Sequence, residues 1–177
     1  MSASENHNPT KTAGKGMLIL SFTLGLIALT LYFDNLLQKQ SNPNRDPITN
    51  ELLAGGKEVT LQANRQGHYV ATGRLNDIPV TFLVDTGATD VAIPSNIANQ
   101  ANLSRGRASQ AATANGLVTV YSTEVESLSL GNIVLNNIEA SITPSMFNDT
   151  ILLGMSALKR VDFSQIGSKL TLRQLPN

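Results

Sequence analysis

The sequence predicts a small, mainly β domain that is preceded by one apolar transmembrane helix. The run from Met17 to Phe33 contains no charged side chain. After residue 57, valine, isoleucine, leucine and threonine are abundant in short segments that turn-forming residues separate. Strands do not alternate with long amphipathic helices, so a parallel sheet built from βαβ units is not expected. We therefore expect a closed, barrel-like β domain with one or two short helices.

The composition excludes several classes of function. The 177 residues include 13 Lys+Arg and 13 Asp+Glu. This balance gives no electrostatic reason to expect nucleic acid as a partner. The absence of cysteine excludes thiol catalysis, disulfides and zinc–thiolate sites. The histidines are His7 and His68 alone, so a multi-histidine metal site is not expected.

The N-terminal third divides into three predicted segments. Residues 1–16 are polar and have no hydrophobic period, which predicts a disordered tail. Residues 17–33 would form a helix of roughly 25 Å, which is near the minimum length for crossing a bilayer. Residues 34–56 contain proline and paired glycines and are predicted to be a linker, with a short helical turn at Asn50–Ala54. The folded domain is then expected to span residues 57–177.

Two other interpretations of residues 17–33 remain open. A buried helix of a soluble protein has similar composition, but nothing before this run could form a domain for it to pack against. A cleaved signal peptide would also begin with basic residues such as Lys11 and Lys15, but Leu31-Tyr32-Phe33-Asp34 is a poor cleavage site. The closeness of Lys15 to the apolar run favours an anchor with its N-terminus in the cytoplasm. The domain would then lie outside the cytoplasm.

The domain is predicted to consist of many short strands and two short helices. Asn76-Asp77 and Asn115-Gly116 are expected to form hairpin turns, and Gly131-Asn132 another turn. The strands are expected at Val59–Leu61, His68–Leu75, Ile78–Val84, Ala88–Ile93, Arg107–Ala114, Leu117–Leu130, Ile133–Ile142, Ile151–Leu153 and Lys169–Leu172. The helices are expected at Ser95–Leu103, after Pro94, and at Met155–Arg160.

The most apolar predicted strand ends in the triplet Asp85-Thr86-Gly87. A carboxylate at the end of a buried strand is costly unless hydrogen bonds or a charge partner stabilise it. Gly87 permits a tight turn or a close approach that a side chain would block. Such a rigid carboxylate is what acid–base chemistry with a shifted pKa requires. For the triplet alone, an ordinary turn after a strand is the more common explanation.

Three features in order resemble the retropepsin-like aspartic proteases. They are the string Phe82-Leu83-Val84-Asp85-Thr86-Gly87-Ala88-Thr89, the hairpin around Ala114-Asn115-Gly116, and Ile151-Leu152-Leu153-Gly154. The resemblance covers roughly residues 57–175 and is closest to the single-domain, membrane-anchored bacterial members. It implies a single-lobe acid-protease fold, an aspartic endopeptidase activity and a position in the bacterial inner membrane with the domain in the periplasm.

The resemblance also assigns roles to individual residues. Asp85 would be the catalytic carboxylate, and Thr86, Gly87 and Ala88 would complete its loop. Ala114, Asn115 and Gly116 would form the tip of a flap that closes over an extended polypeptide. Leu83, Leu152 and Gly154 would contribute to a substrate pocket, although the two leucines could equally be plain core residues. No metal or cofactor is implied.

The chain contains one Asp-Thr-Gly triplet. The other Asp-Thr pair, Asp149-Thr150, is followed by Ile151 and not by glycine. In the resembling proteases two such loops meet and their carboxylates share a proton. The active form is therefore expected to be a homodimer with one Asp85 from each subunit. The viral members carry a further acid where this chain has Thr89, so the binding of the substrate ends is not expected to be identical.

Three other functions are alternatives to proteolysis. A retropepsin fold without catalysis could serve as a dimerisation or peptide-binding module of the cell envelope. A purely structural envelope protein would also need no more than an anchor and a β domain. Phosphoryl transfer through an aspartyl intermediate is disfavoured, because the chain lacks the required lysine after Asp85 and a phosphate-binding glycine loop.

Overall fold

In a computed structural model of the chain, residues 9–113 and 116–176 are described, and the chain divides into two units. The first unit ends at Lys39 and consists mainly of helix α1, which spans Pro9–Ser41. Among the described residues, this is the one helix long and apolar enough to cross a membrane, with a mean hydropathy of 2.0 over its apolar part.

Helix α1 is longer at both ends than the predicted residues 17–33. At its start, it includes Pro9–Gly16 of the segment that was expected to be disordered. At its end it continues to Ser41, because residues 34–41 contain good helix formers and neither proline nor glycine. Pro43 follows two residues later, and proline disfavours helical backbone in the residue before it.

The second unit, from Gln40 onwards, is built of short strands. Its strands are β1 (Ile48–Glu51), β2 (Lys57–Gln62), β3 (Val70–Leu75), β4 (Ile78–Val84), β5 (Val91–Pro94), β6 (Ala108–Thr113), β7 (Gly116–Leu130), β8 (Ile133–Thr143), β9 (Thr150–Leu153), β10 (Asp162–Ile166) and β11 (Lys169–Gln174). Its helices are a 3-10 turn at Leu53–Gly55, α2 (Ser95–Gln100) and α3 (Met155–Leu158).

The strands form two sheets. The larger sheet has the order β3-β4-β9-β5-β8-β7-β6, and β3 also pairs with β7, which closes six of these strands into a ring. Strand β4 runs parallel to β9, and β5 runs parallel to β8. The smaller sheet is antiparallel in the order β1-β2-β11-β10. The predicted closed, mainly β architecture is therefore confirmed.

One core fills the second unit, and branched aliphatic side chains dominate it. Fully buried examples are Phe82, Ile93, Ile138, Ile142 and Ile151. Phe82 and Ile151 lie opposite each other on β4 and β9, so the strand that leads to Asp85 is fixed from inside by its parallel neighbour. Burying side chains of this size stabilises the fold by roughly 1.5–3 kcal/mol each.

The predicted Asn76-Asp77 turn is present. Both residues have positive φ, 44° and 63°, as a two-residue hairpin turn matched to the strand twist requires. Gly131 also has a positive φ of 58°, and a Cβ there would lie 2.6 Å from the Thr49 side chain and 2.9 Å from that of Val59. This turn therefore needs glycine for both its conformation and its packing.

Several elements differ from the sequence prediction. Strands β1 and β10 were not expected, because β1 is polar and all residues of β10 are exposed, so neither shows a hydrophobic alternation. The turn expected at Asn50–Ala54 is instead the end of β1 followed by the 3-10 turn at Leu53–Gly55. Helices α2 and α3 end earlier than predicted.

The residues after α1 are not a free linker, because Asn44 is 5% exposed and bonded into the domain. Its side-chain amide donates to the carbonyl oxygens of Gln62, at 2.9 Å, and of Val70, at 2.7 Å. Its side-chain oxygen accepts the Gln62 N–H at 2.7 Å, and its carbonyl oxygen accepts the Thr72 N–H at 3.0 Å. Asn44 thereby joins the end of β2 to the start of β3.

Candidate active site

Asp85 follows directly on β4 and is held by backbone hydrogen bonds on both sides. The N–H of Val84 donates to the carbonyl of Tyr69 at 2.9 Å, and the N–H of Asp85 donates to the carbonyl of Leu153 at 3.1 Å. The second bond continues the pairing of β4 with β9 by one residue. Asp85 is half-buried, so its position is fixed by the core strands while its carboxylate remains accessible.

The loop after Asp85 is a tight turn closed by the carboxylate itself. Oδ1 of Asp85 accepts the N–H of Gly87 at 2.9 Å, and its carbonyl accepts the N–H of Ala88 at 3.3 Å. A Cβ at Gly87 would lie 3.2 Å from Oδ1, closer than ordinary van der Waals contact. Glycine therefore lets the backbone approach the carboxylate. Thr86 and Gly87 are exposed.

A second segment, Gly154 and helix α3, supports the far side of the loop. The N–H of Met155 donates to the carbonyl of Ala88 at 2.9 Å, and the N–H of Ser156 donates to that of Thr89 at 2.9 Å. Oγ of the buried Ser156 accepts the N–H of Val91 at 3.0 Å. The start of α3 thereby fixes the middle of the connection between Asp85 and β5 and the first residue of β5.

Gly154 is placed differently from its predicted role in a substrate pocket. It is buried, and a Cβ there would lie 2.1 Å from the carbonyl oxygen of Asp90 and 2.8 Å from that of Ala88. The backbone of the Asp85 loop thus fills the space beside Gly154. Gly154 therefore does not line a pocket. Its lack of a side chain lets two backbone segments pack closely, which is the physical reason for glycine at the end of Leu152-Leu153-Gly154.

Leu83 and Leu152 lie beside each other in the parallel pair of β4 and β9. Both are half-buried, whereas their neighbours Phe82 and Ile151 are fully buried on the other face. Leu83 precedes Asp85 by two residues, so the pair offers apolar surface on the strands that lead to the carboxylate. An open cavity of about 400 Å³ lies further back along β4, lined in part by Pro79, Thr81 and residues of α2.

The other Asp-Thr pair lies away from Asp85. Thr150 is opposite Thr81, and Asp85 is four residues further along β4, a distance of about 13 Å at 3.3 Å per residue. The Asp149 carboxylate instead accepts a hydrogen bond from Asn96 of α2. Asp149 therefore does not complete the site around Asp85.

The predicted hairpin is formed by β6 and β7, from Ala108 opposite Tyr121 to Thr113 opposite Gly116. Ala114 and Asn115, the predicted centre of the flap tip, lie outside the described residues. Gly116 begins β7 with a φ of 106°, and its carbonyl accepts a hydrogen bond from the Thr113 hydroxyl at 2.8 Å. Most of β6 is exposed, so this strand stands out from the core.

Sequence reasoning did not identify Ser156 or the base of the hairpin as parts of the site. Ser156 acts across 65 residues, and a serine in a short helix gives no local signal of this. At the base of the hairpin, the Arg105 guanidinium lies 5.3 Å from the centre of the Tyr121 ring, and the Ser122 hydroxyl accepts the N–H of Arg107 at 3.0 Å. These contacts fix where the hairpin leaves the domain.

Comparison with known proteins places this geometry in a recognised group. Residues 71–160, which include the Asp85 loop, the hairpin and Gly154, match the family described as gag-polyprotein putative aspartyl protease. An uncharacterised protein encoded in the cobV 5′ region of a Sinorhizobium species is 29% identical over 156 residues. That match covers 83% of this chain but 66% of the relative, slightly less than two thirds of its length.

One solved structure shows the same fold, and a second is more distantly similar. A retropepsin-like aspartic protease from Rickettsia conorii is similar with a TM-score of 0.56 and 24% identity, over 73% of this chain and 94% of that one. An EIAV protease in complex with an inhibitor is similar with a TM-score of 0.45 and 22% identity, over 56% of this chain and 92% of that one. The Rickettsia comparison confirms the retropepsin-like fold predicted from the sequence.

Proposed function

Because this chain belongs to the family of gag-polyprotein putative aspartyl proteases, we propose that it is an aspartic endopeptidase with Asp85 as its catalytic carboxylate. The observation that carries the proposal is the support of the Asp85 loop from two directions. The Leu153 carbonyl of β9 accepts a hydrogen bond from the Asp85 N–H. The first backbone N–H groups of α3 donate to the carbonyls of Ala88 and Thr89. A catalytic carboxylate needs such a fixed position relative to the substrate.

We propose that the active form is a homodimer in which the two Asp85 carboxylates face each other. Two carboxylates a few ångströms apart cannot both ionise at low cost, so they share one proton and titrate as a pair. The ionised carboxylate takes a proton from the attacking water while the protonated one donates to the peptide carbonyl. Thr86 would hydrogen-bond across the dimer, and the Gly87 carbonyl would meet the substrate backbone.

The β6–β7 hairpin is proposed to be the flap over this site. An extended polypeptide would pair with the backbone near Ala114, Asn115 and Gly116 as an added strand, and closure would exclude water. Leu83 and Leu152 would contact apolar side chains of the substrate. Their shared row on β4 and β9, on the face opposite the core, supports this role.

The apolar part of α1 is proposed to anchor the enzyme in a bacterial inner membrane, with the folded domain in the periplasm. The length and composition of Gly14–Ser41 support a membrane segment, and a cleaved signal sequence would have the same features. The relatives from Sinorhizobium and Rickettsia support a bacterial setting. A shared membrane would also raise the local concentration of subunits and so favour the dimer. The substrates would then be periplasmic proteins within reach of the membrane.

The test is peptide cleavage by the full chain in detergent, measured with a quenched library of peptides of mixed sequence. Asp85→Asn should lower kcat/KM by at least about 100-fold, since it removes the acid–base group. Asp90→Asn is the matched control, because Asp90 is an exposed carboxylate five residues away in the same connection. Equal cleavage by wild type and Asp85→Asn would refute the proposal that the chain is an aspartic protease with Asp85 as its catalytic carboxylate. An Asp85→Asn chain that retains its cellular function would instead favour the non-catalytic peptide-binding module.

A further inference from the structure

The last residues of α1 are bonded to one end of the four-stranded sheet. Gln40 and Ser41 belong to the second unit. The side-chain oxygen of Gln40 accepts a hydrogen bond from the Arg65 guanidinium at 3.0 Å. The carbonyl of Ser41 accepts one from the side-chain amide of Asn64 at 3.1 Å. Since Asn64 and Arg65 lie between β2 and β3, the chain enters the folded domain beside this turn.

The same end of the sheet carries positive charge. The Ala63 N–H donates to the Ser168 carbonyl at 2.8 Å, which joins residues 63–69, between β2 and β3, to residues 166–169, where β10 turns into β11. We call these two segments the basic end, because they contain no aspartate or glutamate and their ionisable groups include three exposed basic side chains, Arg65, His68 and Lys169. The carboxylates of the four strands all lie in the two rows at the opposite end of the sheet: Glu51, Glu58 and Asp162.

Ile166 adds an apolar side chain to the basic end. It lies opposite Lys169, which lies opposite Gln62, so the three form one row across the sheet. This row is on the face turned away from the core, because the adjacent Leu61 and Leu170 are buried on the other face. Ile166 is 80% exposed. An exposed aliphatic group flanked by cations suits a membrane surface, where the aliphatic group enters the interface and the cations stay at the lipid phosphates.

The length of α1 limits how far the basic end can lie from a bilayer that the helix crosses. Ser41 follows Phe33, the last residue of the apolar run, by eight residues. Eight helical residues rise about 12 Å. The headgroup layer on each side of a bilayer is roughly 5–8 Å thick. In an anchored chain, Ser41 is therefore within about 7 Å of the headgroups at any tilt of α1, a gap that arginine and lysine side chains can bridge.

We propose that the basic end rests on the anionic surface of the bilayer that α1 crosses, with Arg65 and Lys169 against lipid phosphates and Ile166 in the interface. This inference rests on the proposed membrane anchor and adds a second contact, which holds the folded domain against the membrane. Two cations at an anionic surface favour the docked state about 30-fold. Because the anchor keeps the surface at a high local concentration, a contact of this strength is sufficient.

Docking would also determine where the catalytic loop lies. The Val84 N–H donates to the carbonyl of Tyr69, the last residue of the segment 63–69, at 2.9 Å. Asp85 therefore follows directly beside the basic end. A docked domain holds Asp85 near the membrane surface, which favours substrates whose cleaved segment lies close to the bilayer.

The absence of cysteine lets a single label report the distance to the membrane. Gln66→Cys carries a nitrobenzoxadiazole fluorophore within the basic end, at a residue to which the proposal assigns no contact. Leu53→Cys is the matched control, because Gln66 and Leu53 are both exposed and lie beyond opposite ends of β2. The full-length variants are placed in vesicles of equal parts phosphatidylcholine and phosphatidylglycerol. A lipid with a spin-labelled headgroup quenches fluorophores that lie near the surface.

The proposal predicts strong quenching at Gln66 and weak quenching at Leu53. Combining Arg65→Gln with Lys169→Gln should lower the quenching at Gln66 to its value in vesicles of phosphatidylcholine alone, since the 30-fold preference for the docked state is lost. The charge control combines Arg107→Gln with Lys159→Gln, which removes two exposed cations outside the basic end. It should leave the quenching unchanged.

Quenching that depends neither on lipid charge nor on Arg65 and Lys169 would overturn the proposal, because the anchor alone would then explain the nearness of the label. A blue shift at Gln66 that grows with protein concentration, without quenching, would mean that a second copy covers this end, and it would overturn the proposal too. Failure of the anchor looks different, since the full chain would not float with vesicles in a density gradient. Failure of the protease would appear as equal cleavage by wild type and Asp85→Asn.

Discussion

The substitution Gly154→Ala tests the link between α3 and the Asp85 loop. The new Cβ would lie 2.1 Å from the carbonyl oxygen of Asp90 and 2.8 Å from that of Ala88, both of which are backbone atoms that cannot rotate away. Reaching ordinary contact at 3.4 Å requires the two segments to separate by about 1.3 Å. Because the hydrogen bonds from Met155 and Ser156 hold the loop, the displacement is transmitted towards Asp85.

Two magnitudes follow from this displacement. Overpacking of a well-packed site costs about 1–3 kcal/mol of the free energy of unfolding. A misplacement of about 1 Å in a catalytic group can lower the rate by about 100-fold. We therefore expect Gly154→Ala to remain folded at 25 °C. Its free energy of unfolding should fall by about 1–3 kcal/mol and its rate of peptide cleavage by about 100-fold.

The assay combines thermal unfolding of the full chain in detergent with peptide cleavage at a temperature where all variants are folded. Gly67→Ala is the control, because Gly67 has a φ of 82° and no atom within 4 Å of a Cβ. Its backbone strain should cost about 1–2 kcal/mol without moving the Asp85 loop. If Gly154→Ala keeps wild-type unfolding temperature and activity, or if Gly67→Ala loses as much activity, the reasoning is refuted.

Two further predictions concern stability. Asn44→Ala should lower the free energy of unfolding in urea by roughly 3 kcal/mol, because it leaves backbone groups of Gln62 and Val70 without their side-chain partner. Hydrogen bonds from Arg173 and then Asn50 lower the pKa of Glu58 below 4.5. A lowered pKa in the folded state gives stability that is present above the unfolded pKa and is lost as pH falls through the folded pKa. Glu58→Gln should therefore make the unfolding temperature less sensitive to pH below about 4.5.

The substitutions Asn44→Ala and Glu58→Gln each have a matched control. Asn42→Ala removes a single side-chain donor, to the Thr72 hydroxyl, and an acceptor for the Asn44 N–H, so it should cost clearly less than Asn44→Ala. Equal losses would mean that the buried carboxamide of Asn44 has no special role. The control for Glu58→Gln is Glu51→Gln, which changes an exposed carboxylate of the neighbouring strand. If Glu51→Gln and Glu58→Gln flatten the pH dependence equally, the Arg173 contact is not the cause.

The sequence carried enough information for the elements whose determinants are local. Asn76-Asp77 predicts a two-residue turn because few residues tolerate positive φ at both positions, and both φ values are positive. The apolar run before Asp85 predicts a strand that is buried on both faces. The strand is present as β4, but one face alone is buried: Phe82 is fully buried, whereas Leu83 is half-buried. The fold class followed from these patterns together with the resemblance that the motifs carry.

Features that depend on contacts distant in sequence could not be predicted in the same way. The hydroxyl of Ser156 meets the backbone of Val91 across 65 residues, and nothing near either residue signals the contact. The proline and paired glycines of residues 34–56 predict a linker that includes Asn44, whereas the carboxamide of Asn44 is buried. Strand β10 lacks a hydrophobic alternation because it lies at an edge outside the core.

The central claim is that two copies of Asp85 form one catalytic site. An experimental structure of the full chain in a lipid environment, determined as a dimer, measures this directly. The account predicts that the two Asp85 carboxylates lie within about 3 Å of each other, a distance at which they can share a proton. A dimer that holds them more than about 10 Å apart, in a preparation that cleaves peptides, would contradict the account.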